Sequence, residues 1–480
     1  MTINIAMSTD SLALGEGAIG PAAQRASSYA RPSGPLMWLL PAVTALLAAP
    51  LFICLPLELL DWSRSAAEED GWLGGALPNF VALVMIIVGI RWCTCFTMAF
   101  AVYRRDRRSL VLHHWPHVSI LVPAYNEGDT IEAALESLLE EDYPCYEVIV
   151  VDDGSSDDTL ARARKFEGRH GGCTVRVHSK PNGGKWSALN LAFQRSTGEL
   201  VLCVDADSGL APGSLHRLVA RLSDPRVACV AGQVRVRNRV NILTRLQAFE
   251  YLLCNGLMRA AQSFSGTVLI VPGPIGLFRR SVLEEVFIRY GMAAVPDRPG
   301  HVAGPYEGDT FAEDFDLTLA ILSLGGRIVY EPEAVSHTKA PETAFQFLNQ
   351  RYRWQRGNIQ VLRKLFRRAR SSPEMPSPRL IAWLIATFGL EYSTFLVAKL
   401  LCMVFIINLG VAGKLLPLLG WYLAFLLLNI NAVAFFAVVH KETLKILLVL
   451  PLHDIYHNII VLSGTVIAIV DEIRGTRMRW

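Results

Sequence analysis

Val148-Ile149-Val150-Val151-Asp152-Asp153-Gly154-Ser155-Ser156-Asp157-Asp158-Thr159 is a short aliphatic run that enters an acidic, glycine-containing turn. Four consecutive aliphatic residues bounded by turn residues read as a buried strand, and a periodic helical segment follows the turn. The same unit recurs on both sides. Residues 118–122 form an apolar strand closed by Val122-Pro123-Ala124-Tyr125-Asn126-Glu127, with a helix expected over 130–139. Further strands are expected at 174–177, 200–204 and 227–231. Such βαβ alternation, sustained over 117–376, predicts an α/β domain with a mostly parallel sheet covered by helices. Ligands then bind where the strands end.

Outward from this domain the composition changes. The 480-residue chain is 52% hydrophobic and 19% charged, and its charges crowd into the middle. A net charge of +3, without a basic stripe interleaved with aromatics, gives no nucleic-acid partner. The nine cysteines are single except Cys93 and Cys95, which sit in an apolar run and read as small membrane-helix residues rather than a zinc site. An odd count without paired spacing builds no disulfide framework, consistent with a reducing, cytosol-facing centre.

Residues 1–35, rich in Ala, Gly and Ser, read as a flexible leader. The runs 36–60 and 76–103 carry almost no charge, and each exceeds the roughly 20 residues that cross a bilayer as a helix. Arg104, Arg105, Arg107 and Arg108 then place the end of the second run in the cytoplasm. The expected layout is two transmembrane helices over 36–108, a cytosolic domain over 109–378, and an interfacial helix with about three transmembrane helices over 379–480. The last three runs are 392–411, 416–438 and 446–470, preceded by an amphipathic 380–391. Three C-terminal spans put Arg474, Arg477 and Arg479 on the outer side, against the charge bias. His453, Asp454 and His457 also make 446–470 a poor lipid-facing helix.

Candidate chemistry lies at the strand ends. Asp205-Ala206-Asp207 follows the strand 200–204, and carboxylates spaced i, i+2 there suit Mg²⁺ or Mn²⁺ holding a diphosphate; a plain turn or helix cap is the competing reading. Asp152 and Asp153 can accept hydrogen bonds from a base or ribose, or they belong to a simple βα turn. Asn182-Gly183-Gly184-Lys185 offers a lysine to a phosphate, though such turns are common. Glu313-Asp314 precedes an apolar helix, where Asp314 is either a general base or a helix cap. Gln350, Arg353 and Trp354 fall at i, i+3, i+4 on one helix face, suited to clamp a pyrophosphate and stack a sugar. The arginine-rich run after them can instead meet acidic lipid. A dinucleotide-binding oxidoreductase is disfavoured, because no GxGxxG follows the first strand. The acidic strand ends likewise have no use in a pore.

The ordered set PAYNE, VDDGSSD, NGGK, DAD, ED and QxxRW, framed by apolar runs, resembles the processive family 2 glycosyltransferases, the cellulose, chitin, hyaluronan and poly-β-1,6-N-acetylglucosamine synthases. Pro341-Glu342-Thr343 and the short C-terminal region look most like the last of these. The resemblance implies a GT-A domain inserted between N- and C-terminal transmembrane helices, in a multi-pass cell-membrane protein (the inner membrane of a Gram-negative bacterium). It implies inverting transfer from a UDP-sugar, UDP-N-acetylglucosamine or UDP-glucose, to a glycan acceptor. Asp152, Asp153, Lys185, Asp205, Gln350, Arg353 and Trp354 would bind the donor, and Asp205 and Asp207 the Mg²⁺ or Mn²⁺. Glu313 and Asp314 would be catalytic, with Asp314 the base. Gly273 and Pro274, in Pro272-Gly273-Pro274-Ile275-Gly276, would meet the acceptor with Trp354. That loop lacks the family's cysteine. Transfer to a membrane lipid is the alternative, since QxxRW also occurs in ceramide glucosyltransferases. Expected partners are the bilayer and a small accessory membrane subunit. The insertion over 290–310 is either a loop over the site or a surface feature.

Overall fold

The computed structural model describes residues 36–105, 114–291, 300–371, 376–395, 415–456 and 462–476, with positions 401, 404, 407 and 410. The expected leader, Arg107 and Arg108, His457, most of the 392–411 run, Arg477 and Arg479 lie outside the described residues.

Nine strands make one sheet: β1 Val118–Ala124, β2 Tyr146–Asp152, β3 Gly168–His170, β4 Cys173–Ser179, β5 Leu200–Cys203, β6 Gly209–Leu210, β7 Val227–Val236, β8 Gly276–Arg279 and β9 Arg327–Thr338. Their order is β3-β4-β2-β1-β5-β8-β7-β9-β6. β4, β2, β1 and β5 run parallel. β8 is antiparallel to both β5 and β7, and β7 is parallel to β9. The two reversals around β8 restore the direction of β5 in β7 and β9. The ends of β1, β2, β4, β5 and β9 therefore meet along one edge.

The aliphatic runs are continuous because both faces of the sheet are covered. Ile120, Val122, Val148 and Val150 pack with Ile131, Leu135 and Leu138 on one face. Leu121, Ile149 and Val151 pack with Ala188, Leu189 and Phe193 on the other. Each such side chain contributes about 1.5–3 kcal/mol when fully buried. β1, β2, β4, β5 and β7 stand where the sequence places strands.

The N-terminal runs are helical over Leu36–Ala49 and Pro50–Cys54 and over most of Leu55–Arg105, whose two ends run in opposite directions. Ser63 Oγ donates to Asn79 Oδ1 at 2.8 Å. A straight helix would hold residues 16 apart at about 24 Å, so the chain must reverse between them. The other contacts agree: Leu59 packs with Val81 and Ala82, and Phe52 lies against Trp92. The two runs form an antiparallel hairpin. Within it, 78–104 is the one segment among the described residues long and apolar enough to cross a membrane, with a mean hydropathy of 2.1.

Leu415–Val439 packs on this hairpin through Leu428 against Leu51, and Asn431 Nδ2 donates to Leu40 O at 2.6 Å. Tyr103, at the hairpin's end, donates to Gly256 O and bonds His440 Nε2, joining these helices to the sheet domain. The 446–470 run differs from the single span expected. It starts in a 3-10 helix, Leu444–Val449, and ends within Leu462–Arg474, whose Asp471 and Glu472 bind residues of the Ala344–Ser371 helix. Those carboxylates fasten the end of the run to the sheet domain. In the 380–391 stretch Leu380, Trp383 and Leu384 are buried, while apolar Ile385 is exposed.

The insertion is neither a free surface feature nor an open loop over its described part. Asn190 Nδ2 donates to Val302 O and Tyr306 O, and its Oδ1 accepts from Tyr306 N. Ser187 binds Gly300 and Val302. Residues 300–306 thus form a strap fixed to the Lys185–Arg195 helix.

Candidate active site

The edge defined by the ends of β1, β2, β4, β5 and β9 gathers most of the sequence-derived candidates. Asp152 is buried at the end of β2, accepting from Ser155 N at 3.3 Å and Ser179 Oγ at 3.1 Å. Asp153, next to it, turns to the glycine loop. Its carboxylate accepts from Gly183 N at 3.0 Å, Gly184 N at 2.8 Å and the Lys180 ammonium. These bonds fix the loop that delivers Lys185. Gly154 is required here: its φ is +75°, and a Cβ would lie 2.8 Å from Asn182 N.

Lys185 Nζ lies 2.8 Å from Asp205 Oδ1 and 3.1 Å from Glu313 Oε1. Burial opposes its charge, but Asp205 and Glu313 outweigh it and hold the ammonium well above the ordinary lysine range. Gly273 closes on the same group, since a Cβ there would sit 2.9 Å from Lys185 Nζ and 3.3 Å from Asp205 Oδ1. Gly273 therefore belongs to the wall around Lys185, with half-buried Pro274 beside it. The basic pair at the end of β8 points elsewhere: Arg279 binds the carbonyls of Val227 and Leu222, and Arg280 that of Gly198.

Asp207 accepts from Ser208 Oγ at 2.7 Å and Thr338 Oγ1 at 3.4 Å. Burial pushes its carboxyl up, and the charge of Asp205 adds to that. Glu127, from the β1 turn, is raised by burial and by Asp207 and Asp205. Asp205, Asp207 and Glu127 thus repel one another at this edge, and Gly273 keeps the backbone beside Asp205 bare. Glu127 and Thr338 were not singled out as site residues from sequence. Only the shared sheet edge brings them in.

Glu313 and Asp314 lie in the first turn of the Glu313–Ser323 helix, whose N-cap is Ala312. Asp314 is thus not the cap. Its Oδ1 accepts from Phe315 N at 2.7 Å. Burial first, and the adjacent Glu313 charge second, push its carboxyl up to about 6, against the pull of Lys185. A carboxylate poised there accepts a proton near neutral pH.

Trp354 and Arg353 are exposed on the Ala344–Ser371 helix, and Gln350 Oε1 is buried without a hydrogen-bond partner among the described residues. Trp354 is positioned by a residue not foreseen, Arg351. Its guanidinium lies 4.5 Å from the Trp354 ring and 4.7 Å from Phe347, and donates to Glu250 Oε2 at 2.7 Å. Tyr456 OH donates to the same Glu250 oxygen. Tyr251 stands 6.4 Å from Trp354, and burial pushes its hydroxyl up to about 12, with Glu250 and Asp207 adding to the shift and Arg351 opposing it. The Trp354 face therefore borders the acidic edge.

Glu307, Asp309 and Asp316 bring carboxylate oxygens within 4.8 Å of one another, tight enough for a metal. Lys364 already occupies their centre, 2.7 Å from Asp309, 2.6 Å from Asp316 and in contact with Glu307. This ion network, buried at Glu307 and Asp316 and exposed at Asp309, joins residues 307–309 to two helices, with Arg368 as a second cation 2.7 Å from Glu307. Lys364→Met leaves three carboxylates without their shared cation and is expected to cost about 3–5 kcal/mol of stability near neutral pH. Burial first, with the Glu307 charge adding and Lys364 opposing, pushes the Asp316 carboxyl up to about 6. Its protonation relieves the variant and loosens the parent's pair, so the melting temperatures of variant and parent should draw together as pH falls from 7.5 to 5.5. An unchanged gap would show that the network is not what holds the strap.

Known proteins resemble this chain in fold and in sequence. A mannosyltransferase structure from Pyrobaculum calidifontis, solved with GDP-Man and Mn²⁺, aligns at a TM-score of 0.56 and 22% identity, covering 83% of this chain and all of that one. That likeness gives the fold, a mixed α/β architecture. Residues 119–287 match the profile described as Glycosyl transferase family 2; they form a domain of that family, and the protein is a glycosyltransferase. A poly-β-1,6-N-acetyl-D-glucosamine synthase of Staphylococcus epidermidis is 29% identical over 60% of this chain and 67% of its own length. N-acetylglucosaminyltransferases of Rhizobium sp. (strain N33) and Mesorhizobium japonicum are 33% and 36% identical over 51% of this chain, and the match spans 53% and 56% of their lengths.

Proposed function

We propose that the protein is a membrane-bound inverting glycosyltransferase that uses a UDP-sugar to extend a β-linked extracellular polysaccharide. The observation that carries this is the convergence of Lys185, Asp205, Glu313 and Gly273 on one point of the sheet edge, with Asp314 beside it. The relatives named for N-acetylglucosamine transfer favour UDP-N-acetylglucosamine over UDP-glucose.

In this reading Asp152 meets the uridine, and Asp153 acts by holding the Gly183-Gly184 turn against it. Lys185, Gln350 and Arg353 face the diphosphate, for which the partnerless Gln350 Oε1 and the exposed Arg353 leave hydrogen-bonding capacity. Asp205 and Asp207 would hold Mg²⁺ or Mn²⁺, and the ion would supply charge neutralisation for the departing diphosphate. The acceptor hydroxyl oxygen attacks the anomeric carbon, its proton passes to Asp314, and the bond to the UDP oxygen breaks with its electron pair leaving on UDP. Attack opposite the leaving group inverts the anomeric centre. Trp354, stiffened by Arg351 and Glu250, offers a ring for the acceptor sugar beside Gly273 and Pro274. Most of the rate then comes from positioning and preorganised charge.

The hairpin 36–105 and the helix 415–439 are read as membrane anchors, with 109–378 in the cytoplasm, as the basic residues from Arg104 onward favour. A panel of UDP-sugars scored for UDP release and product length tests the proposal on purified protein. UDP-N-acetylglucosamine should give the fastest release and long products. A product carrying one added sugar would replace polymer extension by transfer to a single acceptor such as a membrane lipid.

A further inference from the structure

On the far part of the Ala344–Ser371 helix, Arg356, Arg363, Lys364 and Arg367 line a cavity of about 230 Å³, with Asp309 and Glu472 the acids lining it among the described residues. Two of the cations build its walls. Arg356 binds Glu472 at 2.7 Å, and Lys364 sits in the three-carboxylate network. The other two stand at its exposed rim, where Arg363 reaches Glu472 at 3.2 Å while remaining half open to solvent. Arg363, Phe366, Arg367 and Arg370 are all exposed, and their i, i+3, i+4, i+7 spacing puts them in one stripe.

The opposite wall is the end of the Leu462–Arg474 helix with Gly475 and Thr476. That helix turns Asp471 and Glu472 inward, to Tyr352 and Arg356. Val466, Ile467, Val470 and Ile473 are exposed on it. The helix that walls this cation-lined pocket thus also carries an apolar face exposed among the described residues, and Phe366 is exposed on the other wall. A soluble anion has no use for the apolar part, and an apolar partner has no use for the arginines. A molecule with a phosphate at one end and hydrocarbon at the other satisfies both.

We propose that this pocket and stripe bind the phosphate headgroup of an anionic phospholipid, with its acyl chains along the Val466–Ile473 side. The proposal rests on the reading that the chain is membrane-embedded. It adds a specific lipid contact on the helix that carries Gln350, Arg353 and Trp354. Lipid occupancy would therefore brace that helix from the side away from the acidic edge.

The test uses full-length protein in detergent, with native mass spectrometry counting bound phosphatidylglycerol against phosphatidylcholine. The parent should retain phosphatidylglycerol preferentially. R363Q/R367Q should lose about thirtyfold in affinity for it and R367Q alone about fivefold, while R363K/R367K keeps most of it. No preference in the parent, or equal retention by parent and R363Q/R367Q, would overturn the site. Full displacement of the lipid by inorganic pyrophosphate at low micromolar concentration would assign the pocket to a soluble anion instead. UDP release is read on the same samples. Absence of release from every sample counts against the transferase reading and leaves the lipid counts as a valid test of this one.

Discussion

Asp314→Asn is expected to lower turnover by roughly 10²–10⁴-fold, the range for loss of a positioned general base. The parent enzyme should show an acid limb near pH 6, because burial and the Glu313 charge hold Asp314 at about 6 and only the carboxylate can take the acceptor proton. Above that limb the rate should level off as the base becomes fully ionised. The groups that face Asp314 are Glu313, Lys185 and Asp205, so the limb reports this cluster rather than an isolated acid. The variant's residual rate should lack that limb. Stability provides the control. A carboxyl held above its unfolded value costs the folded state stability once pH exceeds that unfolded value, and the cost grows until the folded group has also ionised. Asparagine removes that cost, so Asp314→Asn should melt no lower than the parent at pH 7.5. A variant with normal melting and near-parent turnover would show that another group takes the proton.

Much of this edge was legible in the sequence because its parts are local. Each of β1, β2 and β5 is a short aliphatic run that ends in polar or acidic residues, so strand and strand-end chemistry are read in one window. The strands that were missed lack such a window. β8 is four residues beside a glycine-rich turn, and β9 carries Glu331, Pro332 and Glu333 within its length. β9 still belongs to the core, where Glu331 is paired by Arg221. Positioning residues were illegible for a different reason. Arg351 matters through Glu250 and Tyr456, which lie about a hundred residues away on either side, and no local pattern links them. Asp153 shows the converse. Its motif was clear, but its carboxylate is committed to the glycine loop, a fact only the folded contacts reveal.

The same distinction between motif and environment decides where a metal should bind. Two acidic groupings compete: Asp205 with Asp207, and Glu307 with Asp309 and Asp316. By oxygen spacing alone the second is the tighter cluster. Lys364 nevertheless neutralises it from within, and a divalent cation entering there would have to expel a buried ammonium. At the first grouping Lys185 contacts Asp205 but also Glu313, so an ammonium moved off one carboxylate keeps the other. Among the described residues Asp207 accepts hydrogen bonds from two hydroxyls, and burial and then Asp205 raise it while Lys185 opposes, which leaves a negative group with no direct cation there. Asp207→Ala is therefore expected to abolish measurable Mn²⁺ binding by calorimetry and to lower turnover by at least roughly 10²-fold, the several kcal/mol a bound cation supplies. Glu307→Gln should leave Mn²⁺ affinity unchanged while lowering the melting temperature. Chelation should silence the parent, and added Mn²⁺ should restore it. The opposite pattern, with Mn²⁺ binding intact in Asp207→Ala and lost in Glu307→Gln, would move the metal to the strap and separate the acidic edge from metal chemistry altogether.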